Sequence, residues 1–216
     1  EFEKVSHHVA EHGITVGSVK LDSNKMLARK DAIVTKMTAG IQFLFRKNKN
    51  TTLKGHASFV GKTADGYQIQ IDGKDAATVT AKNVIIATGS KARHLPNIPV
   101  DNVLVCDNIG GLKFDSIPKR LGVIGAGVIG LELGSVWRRV GSEVTVLEGL
   151  PTFLGACDEG IAKEAHKIFV KQGLKINMGV KIGEVKADKK GVVVQYKDAE
   201  GKAQKLECDR LIVSVG

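Results

Sequence analysis

The sequence predicts an α/β protein with a parallel sheet and short antiparallel insertions. Beyond residue 118, apolar strand segments alternate with amphipathic helical segments, which is typical of a parallel sheet. Near residues 52–80, short alternating segments separated by Asp-Gly turns predict an antiparallel meander. Two apolar runs, at 84–87 and 211–215, each lead to a small residue and a glycine, which indicates two related domains.

The first part of the chain begins with two helical segments. Residues 1–12 have the pattern of a helix that ends near Gly13. A long, one-sided helix is predicted from Asp22, its N-cap, to about Lys49. Its apolar stripe, which is expected to pack in a core, consists of Met26, Ile33, Met37, Ile41 and Leu44.

Strands and a connector lead to the end of this first part. Short alternating segments predict strands at residues 52–60, 67–71 and 77–80. The fully apolar segment 84–87 predicts a buried strand. A connector that contains prolines then reaches Pro118, where the composition changes. We therefore predict a first domain at 1–117 and a second domain at 118–216.

The second part alternates strands and helices. The predicted segments are a strand at 120–124, a helix at 128–140, a strand at 143–147, a helix at 158–172 and a strand at 174–177. A second short meander and a closing strand at 211–215 follow. This order predicts a layered α/β domain around a parallel sheet.

Length and composition allow a soluble protein with two modest cores, since the chain has 216 residues and 43% hydrophobic content. No run of about 18 apolar residues is present, so no membrane span is predicted. Cys106, Cys157 and Cys208 are widely spaced and form no disulfide or metal-binding pattern. We therefore expect a cytoplasmic protein with reduced cysteines and no metal site.

The formal net charge of +9 does not by itself indicate nucleic-acid binding. The basic residues are scattered, and the densest cluster, at 46–50, has no aromatic residues interleaved with it. An aromatic content of 5% offers few platforms for stacked bases. The cluster is expected to be the solvated end of a helix, and the positive field favours an anionic ligand.

A glycine motif, GxGxxG, lies within the segment VIGAGVIGLELG at Gly125, Gly127 and Gly130. It follows a predicted strand and opens a predicted helix, so it supplies backbone N–H groups and space for a pyrophosphate. Gly125 permits the tight turn, Gly127 lets the backbone approach the phosphates, and Gly130 lets the helix pack closely on the strand. The alternative is a glycine-rich turn that binds nothing.

Glu148 ends the next predicted strand, about 20 residues after the glycines. A carboxylate at this position accepts hydrogen bonds from ribose hydroxyls and repels a 2′-phosphate, which favours NAD over NADP. Gly149, Leu150 and Pro151 follow it and provide no arginine for a phosphate. The alternative for Glu148 is a solvated strand end.

The two apolar closing runs differ in what precedes them. The run at 211–215 has the glycine turn as its opening partner, whereas the run at 84–87 has no GxGxxG before it. We therefore predict two Rossmann-like three-layer dinucleotide-binding domains with inserted antiparallel meanders, the first incomplete. The chain opens without Met, so we expect it to be a fragment whose missing opening segment precedes Glu1.

The chain resembles the FAD-dependent pyridine nucleotide-disulfide oxidoreductases in GIQFLFRKNK, KGHASF, IIATGS, GAGVIGLELGSVW and CDRLIVSVG. The element GLELGSVW is the most specific, and it is typical of their dihydrolipoyl dehydrogenase branch. The resemblance covers essentially the whole chain. It implies a homodimeric parent flavoprotein that passes electrons from dihydrolipoamide through a redox disulfide and FAD to NAD. The partner implied is the lipoyl domain of 2-oxo acid dehydrogenase complexes.

The same resemblance implies that residues 1–117 are the C-terminal part of an FAD-binding domain, that residues 118–216 are an NAD-binding domain, and that an interface domain follows Gly216. It also implies cofactor-binding residues. For FAD they are Ala57, through its backbone, and Thr88, Gly89 and Ser90. For NAD they are Gly125, Ala126, Gly127, Val128, Ile129, Gly130, Leu131, Glu132, Glu148, Ile182 and Gly216. Glu132 is expected near the nicotinamide.

The chain also departs from the family pattern. The flavin GxGxxG, the redox-active CxxxxC pair and the His-xxxx-Glu dyad do not occur in these residues, so we assign no catalytic residue here. We predict that the chain alone neither holds FAD tightly nor oxidises dihydrolipoamide. The alternatives left open are another FAD disulfide reductase, an NADH oxidase, and a non-catalytic NAD-binding module.

The histidines have no assigned chemistry. His8 and His12 are four residues apart but lack a third metal ligand. His94 lies in the connector, and no role is assigned to it.

Overall fold

The computed structural model describes every residue from Glu1 to Gly216. The elements, in chain order, are α1 (Phe2–His7), α2 (Ser23–Lys47), β1 (His56–Thr63), β2 (Gly66–Asp72), β3 (Ala77–Ala81), β4 (Val105–Cys106), α3 (Asn108–Gly111), β5 (Arg120–Ile124), α4 (Val128–Arg139), β6 (Glu143–Leu147), α5 (Glu159–Lys171), β7 (Lys175–Asn177), β8 (Lys181–Asp188), β9 (Gly191–Lys197), β10 (Ala203–Cys208) and β11 (Arg210–Val213). None of the helices has both the length and the apolar character needed to cross a bilayer.

These elements form two compact units. The smaller unit is Ala28–Ser90, and the larger unit combines Glu1–Leu27 with Lys91–Gly216. This division does not follow the predicted boundary at residue 118, because the connector before that residue supplies β4 to the sheet of the larger unit. The point at which one nucleotide-binding domain gives way to the next stays a prediction.

The smaller unit contains the first predicted meander, which is confirmed as an antiparallel sheet in the order β1-β2-β3. Its first turn closes where Thr63 pairs with Gly66, at the predicted Asp-Gly site. The rings of Phe59 and Tyr67 lie edge to face on this sheet, with centroids 6.2 Å apart.

Helix α2 confirms the predicted helix but not its predicted burial. None of its residues is buried, and Ile33, Met37, Ile41 and Leu44 are each more than 40% exposed. The expectation of a core stripe is wrong for these four residues, because no strand of their own unit packs closely on the helix. Met26, which belongs to the larger unit, does pack against that unit's core.

The prediction of a buried strand at residues 84–87 is also wrong. Ile85 is 90% exposed and Ile86 is 73% exposed, and the segment joins none of the three sheets. An apolar segment becomes a strand only when neighbouring strands pair with its backbone N–H and C=O groups. No strand of the described chain pairs with this one.

The larger unit contains a five-stranded parallel sheet in the order β4-β11-β5-β6-β7. The α/β class predicted from the alternating pattern is therefore confirmed. Strand β5 lies at the centre of this sheet, between β11 and β6. The carboxyl ends of these three strands consequently meet at one edge of the sheet.

Both faces of this sheet are covered. Val123 lies in one core with Trp137 of α4, whereas the next residue, Ile124, lies in a second core with Val194 of β9. Successive strand residues point to opposite faces, so a strand covered on both sides is apolar at nearly every position. Helix α4 covers one face, and the second meander, in the order β10-β9-β8, covers the other.

Trp137 ties helix α4 to the segment before β5. It is 2% exposed, and its ring centroid lies 4.9 Å from that of Phe114. Its Nε1 donates a hydrogen bond to the Gly111 carbonyl at 2.9 Å. Trp137 therefore packs between α4 and the segment that precedes β5.

Candidate dinucleotide-binding site

The glycine turn lies at the carboxyl end of β5. The strand ends at Ile124, and α4 begins at Val128 with Gly127 as its N-cap. No side chain caps this helix, so the N–H groups of its first turn remain available to an anion. In open α/β sheets, ligands bind at this edge.

The structure gives a different reason for glycine at each of the three positions. Gly125 has a φ of +102°, and a Cβ there would meet the Ser214 backbone. A Cβ on Gly130 would meet the Gly125 carbonyl oxygen and lie 2.6 Å from the Ser214 hydroxyl. A Cβ on Gly127 would meet nothing within 4 Å. Gly125 and Gly130 are therefore required by the turn itself, whereas Gly127 keeps the space in front of it open.

Ser214, at the end of β11, holds the turn from the other side. Its backbone N–H donates to the Ile124 carbonyl at 2.8 Å. Its hydroxyl lies 3.1 Å from the same oxygen and 3.3 Å from the Gly125 carbonyl oxygen, to which it donates. Sequence reasoning noted a small residue before the closing glycine but gave Ser214 no role.

Glu148 joins the turn to the end of β6. Its Oε2 accepts the Ala126 N–H at 2.6 Å, and its Oε1 accepts the Leu150 N–H at 2.8 Å. Its backbone N–H donates to Asn177 at 2.8 Å, and its carbonyl accepts from Val180 at 2.9 Å. The side chain is partly buried. It is thus a fixed acceptor beside the glycines, which differs from the alternative of a solvated strand end.

A cleft of about 480 Å³ opens in front of the turn. We call it the nucleotide cleft, and its lining residues are Leu95, Ile124, Gly125, Gly127, Glu148, Gly149, Leu150, Val180, Ile182, Ser214, Val215 and Gly216. The lining is mostly apolar, with a carboxylate and the turn's backbone as its polar groups. This combination suits a ligand with an apolar ring system and an anionic centre.

The predicted NAD residues fall into three groups. Those that line the nucleotide cleft are Gly125, Gly127, Glu148, Ile182 and Gly216. Those buried behind the turn are Ala126, Gly130 and Leu131. Those exposed on the first turns of α4, outside the lining, are Val128, Ile129 and Glu132. The contact of Glu132 with a nicotinamide stays a prediction.

Leu95 and Val180 are lining residues that sequence reasoning missed. Leu95 comes from the connector, and Val180 precedes β8. Neither residue belongs to a local sequence motif. Each is brought to the cleft by the tertiary fold. Gly149 and Leu150 also line the cleft. The sequence indicated only that neither position is an arginine that could bind a phosphate.

The predicted FAD residues do not form a comparable cradle. Ala57 is exposed and pairs with Ile71 in the first meander. Thr88, Gly89 and Ser90 are exposed and belong to no helix or strand. Nothing lies within 4 Å of a Cβ placed on Gly89. The residues of the glycine turn therefore fit a dinucleotide, whereas these four do not by themselves fit a flavin.

The three cysteines differ in burial. Cys106 and Cys208 are buried, and burial raises the pKa of each thiol to about 11. Cys157 is exposed. No group of three or more His, Cys, Asp or Glu side chains is placed to hold a metal ion.

A parallel sheet with a glycine turn at the end of its central strand defines a Rossmann-like nucleotide-binding fold. The sequence profile of the pyridine nucleotide-disulphide oxidoreductases matches residues 3–216, and the chain belongs to this family. The family resemblance found in the sequence is therefore confirmed. The whole proteins of this family use FAD and NAD(P).

Curated relatives share the whole length of this chain. Dihydrolipoyl dehydrogenase from Cupriavidus necator is 68% identical over 216 residues, and mitochondrial dihydrolipoyl dehydrogenase 1 from Arabidopsis thaliana is 40% identical. Leghemoglobin reductase from Vigna unguiculata is 38% identical. Each comparison covers 100% of this chain but 45%, 42% and 41% of the respective relative. The chain thus spans under half the length of these proteins.

Two solved structures share the fold. LpdA from Mycobacterium tuberculosis has a TM-score of 0.84 at 20% identity, over 99% of this chain and 46% of the other. The HOCl-induced flavoprotein disulfide reductase RclA from Escherichia coli has a TM-score of 0.70 at 23% identity, over 100% of this chain and 46% of the other. At these identities the likeness concerns the fold alone.

Proposed function

We propose that this chain is a piece of a dihydrolipoyl dehydrogenase, in which residues 1–117 are the C-terminal part of the FAD-binding domain and residues 118–216 are the NAD-binding domain. The observation that carries the proposal is the position of Glu148 against the glycine turn, at the mouth of the nucleotide cleft. The 68% identity to a dihydrolipoyl dehydrogenase, over the whole chain, supports this branch of the family. When bound there, the nicotinamide accepts a hydride.

The chain's own residues bind and orient the cofactor. The N–H groups at the start of α4 receive the pyrophosphate, in the space that Gly127 leaves open. Each carboxylate oxygen of Glu148 accepts one backbone N–H and keeps a second lone pair for a ribose hydroxyl. The fixed negative charge disfavours a 2′-phosphate, so we infer NAD rather than NADP.

We propose FAD binding and the oxidation of dihydrolipoamide for the whole protein and not for this chain alone. We propose that the parent is a cytoplasmic homodimer that holds FAD, reoxidises dihydrolipoamide through a redox disulfide, and meets the lipoyl domain of 2-oxo acid dehydrogenase complexes. The chain alone is expected to bind NADH without turning over lipoamide. The leghemoglobin reductase among the relatives supports a second candidate, another flavin-dependent reductase with the same NAD-binding part.

Calorimetric titration of the 216-residue chain with NADH and NADPH tests the cofactor assignment. NADH is expected to bind at least about tenfold more tightly than NADPH. The absorbance of bound flavin and the turnover of dihydrolipoamide are measured on the same sample and are expected to be negligible. No heat of NADH binding at millimolar concentration, or equal affinity for the two nucleotides, would contradict the proposal.

A further inference from the structure

One wall of the nucleotide cleft comes from the connector, at residues 93–98, which we call the wall segment. Leu95 lines the cleft and packs on the core beneath it. The Arg93 N–H donates to the carbonyl of Gly216, another lining residue, at 2.8 Å. Ile98 is 2% exposed and anchors the far end of the segment. The position of the wall segment therefore sets the shape of the cleft on this side.

His94 lies between Arg93 and Leu95 in the sequence, and its side chain contacts the buried carboxylate of Asp107. Its Nε2 is 3.3 Å from Oδ2 of Asp107. The His94 side chain is 51% exposed, whereas that of Asp107 is 6% exposed. Asp107 directly follows β4 and caps α3 by accepting the N–H groups of Ile109 and Gly110. It is thus a fixed acceptor for His94, whose own side chain is half exposed.

The charge state of Asp107 determines the direction of this bond. Burial acts to raise the pKa of Asp107, but hydrogen bonds from the Ile109 and Gly110 N–H groups and from His94 hold it below its usual range. An ionised carboxylate only accepts hydrogen bonds, so Nε2 of His94 donates. A donor to a charged, buried acceptor makes a stronger contact than one between neutral surface groups.

We propose that His94 is a positioning residue for the dinucleotide site. Its hydrogen bond to Asp107 fixes the wall segment, and thereby keeps Leu95 and Gly216 where a bound dinucleotide meets them. This inference rests on the proposed function, because it assumes that the dinucleotide occupies the nucleotide cleft. Before Leu95, the segment has two tethers to the rest of its unit, the Arg93 N–H and the His94 ring. Loss of the His94 bond leaves only the backbone hydrogen bond of Arg93.

The test compares three variants of the 216-residue chain. His94→Ala removes the donor, and His94→Gln restores an N–H donor on a longer side chain. His12→Ala is the matched control, since the His12 side chain is 70% exposed and its Nε2 lies 3.7 Å from a Glu11 carboxylate oxygen. The readouts are the hydrogen exchange of the Arg93 amide, the dissociation constant for NADH, and the thermal unfolding midpoint.

His94→Ala is expected to speed exchange of the Arg93 amide and to weaken NADH binding about 3- to 10-fold, with only a small fall in the unfolding midpoint. His94→Gln is expected to recover both properties in part, and His12→Ala to match the wild type. Unchanged exchange in His94→Ala overturns the inference, as does unchanged NADH affinity. If the wild-type chain binds no NADH, the proposed function fails, and Arg93 exchange then decides by itself whether His94 holds the segment.

Discussion

The carboxylate of Glu148 accepts the backbone N–H of Ala126 at 2.6 Å, so the end of β6 holds the glycine turn that follows β5. Its other oxygen accepts the N–H of Leu150 at 2.8 Å. One acidic side chain thus fixes the turn and keeps lone pairs for a ligand. A turn held by such hydrogen bonds lowers the entropic cost of ordering it when a ligand binds.

Replacement of Glu148 by Gln separates the charge of this side chain from its shape. Glu148→Gln is expected to weaken NADH binding about tenfold and to reduce the preference over NADPH, because the amide carries no charge and has one acceptor oxygen. Calorimetry with both nucleotides measures this. Glu143→Gln, at the exposed start of β6, is the control. An unchanged preference in Glu148→Gln would count against the assigned role.

Alanine at two glycines of the turn should affect different properties of the chain. Gly130→Ala is expected to lower the free energy of unfolding by about 1–3 kcal/mol, because its Cβ would meet the Gly125 carbonyl oxygen. Gly127→Ala is expected to leave stability within about 0.5 kcal/mol and still weaken NADH binding, since its Cβ would enter the cleft. Chemical denaturation and calorimetry measure the two properties.

A third glycine on the same helix provides the control. A Cβ on Gly134 would meet Val144 at an ordinary 3.4 Å, so Gly134→Ala is expected to change neither property. Loss of stability in Gly127→Ala equal to that in Gly130→Ala would show that the turn is not packed as described.

The cysteines should differ in reactivity with a thiol reagent. Cys157 is exposed and is expected to react rapidly in the native chain at mildly alkaline pH. Cys106 and Cys208 are buried, and burial raises their pKa to about 11, so they are expected to react only after unfolding. Cys157→Ser should abolish the fast phase. A second fast thiol in that variant would be inconsistent with the described cores.

The ion pair between Asp209 and Arg120 predicts a dependence of stability on pH. Burial acts to raise the pKa of Asp209, but hydrogen bonds from the Arg120 backbone and guanidinium hold it below its usual range. A carboxylate with a lowered folded-state pKa stabilises the fold above its unfolded pKa, and this stabilisation is lost as the pH falls through the folded value. The pair is therefore expected to stabilise the larger unit at neutral pH.

Asp209→Asn tests this dependence by denaturant titration across the acid range. The difference in unfolding free energy between the wild type and this variant is expected to be largest above about pH 5 and to shrink as the pH falls. Asp65→Asn, in the exposed turn between β1 and β2, is the matched control. A constant difference for Asp209→Asn down to about pH 2 would rule out the ionic contribution.

Most of the larger unit could be predicted from the sequence. Strand β5 and helix α4 lie where the apolar pattern indicated, because both faces of the sheet are covered by elements of the same chain. The glycine turn was also predictable, since the GxGxxG spacing is local, although the contacts that hold the turn come from Glu148 and Ser214, far along the chain. At this turn the sequence pattern and the observed structure agree.

Burial elsewhere could not be predicted. The segment 84–87 and the stripe of α2 are as apolar as true core segments, but apolarity does not specify which element covers them. The wall of the cleft at Leu95 was missed for a related reason. Its position depends on the contacts of Arg93 and His94 with residues far along the chain, which leave no periodic signal.

A crystal structure of the chain grown or soaked with NADH tests the central claim most directly. The account predicts that the pyrophosphate lies against the turn from Gly125 to Gly130, with an adenosine ribose hydroxyl within hydrogen-bond distance of a Glu148 oxygen. A dinucleotide bound elsewhere, or a nucleotide cleft that stays empty at saturating NADH while open to solvent, would contradict it.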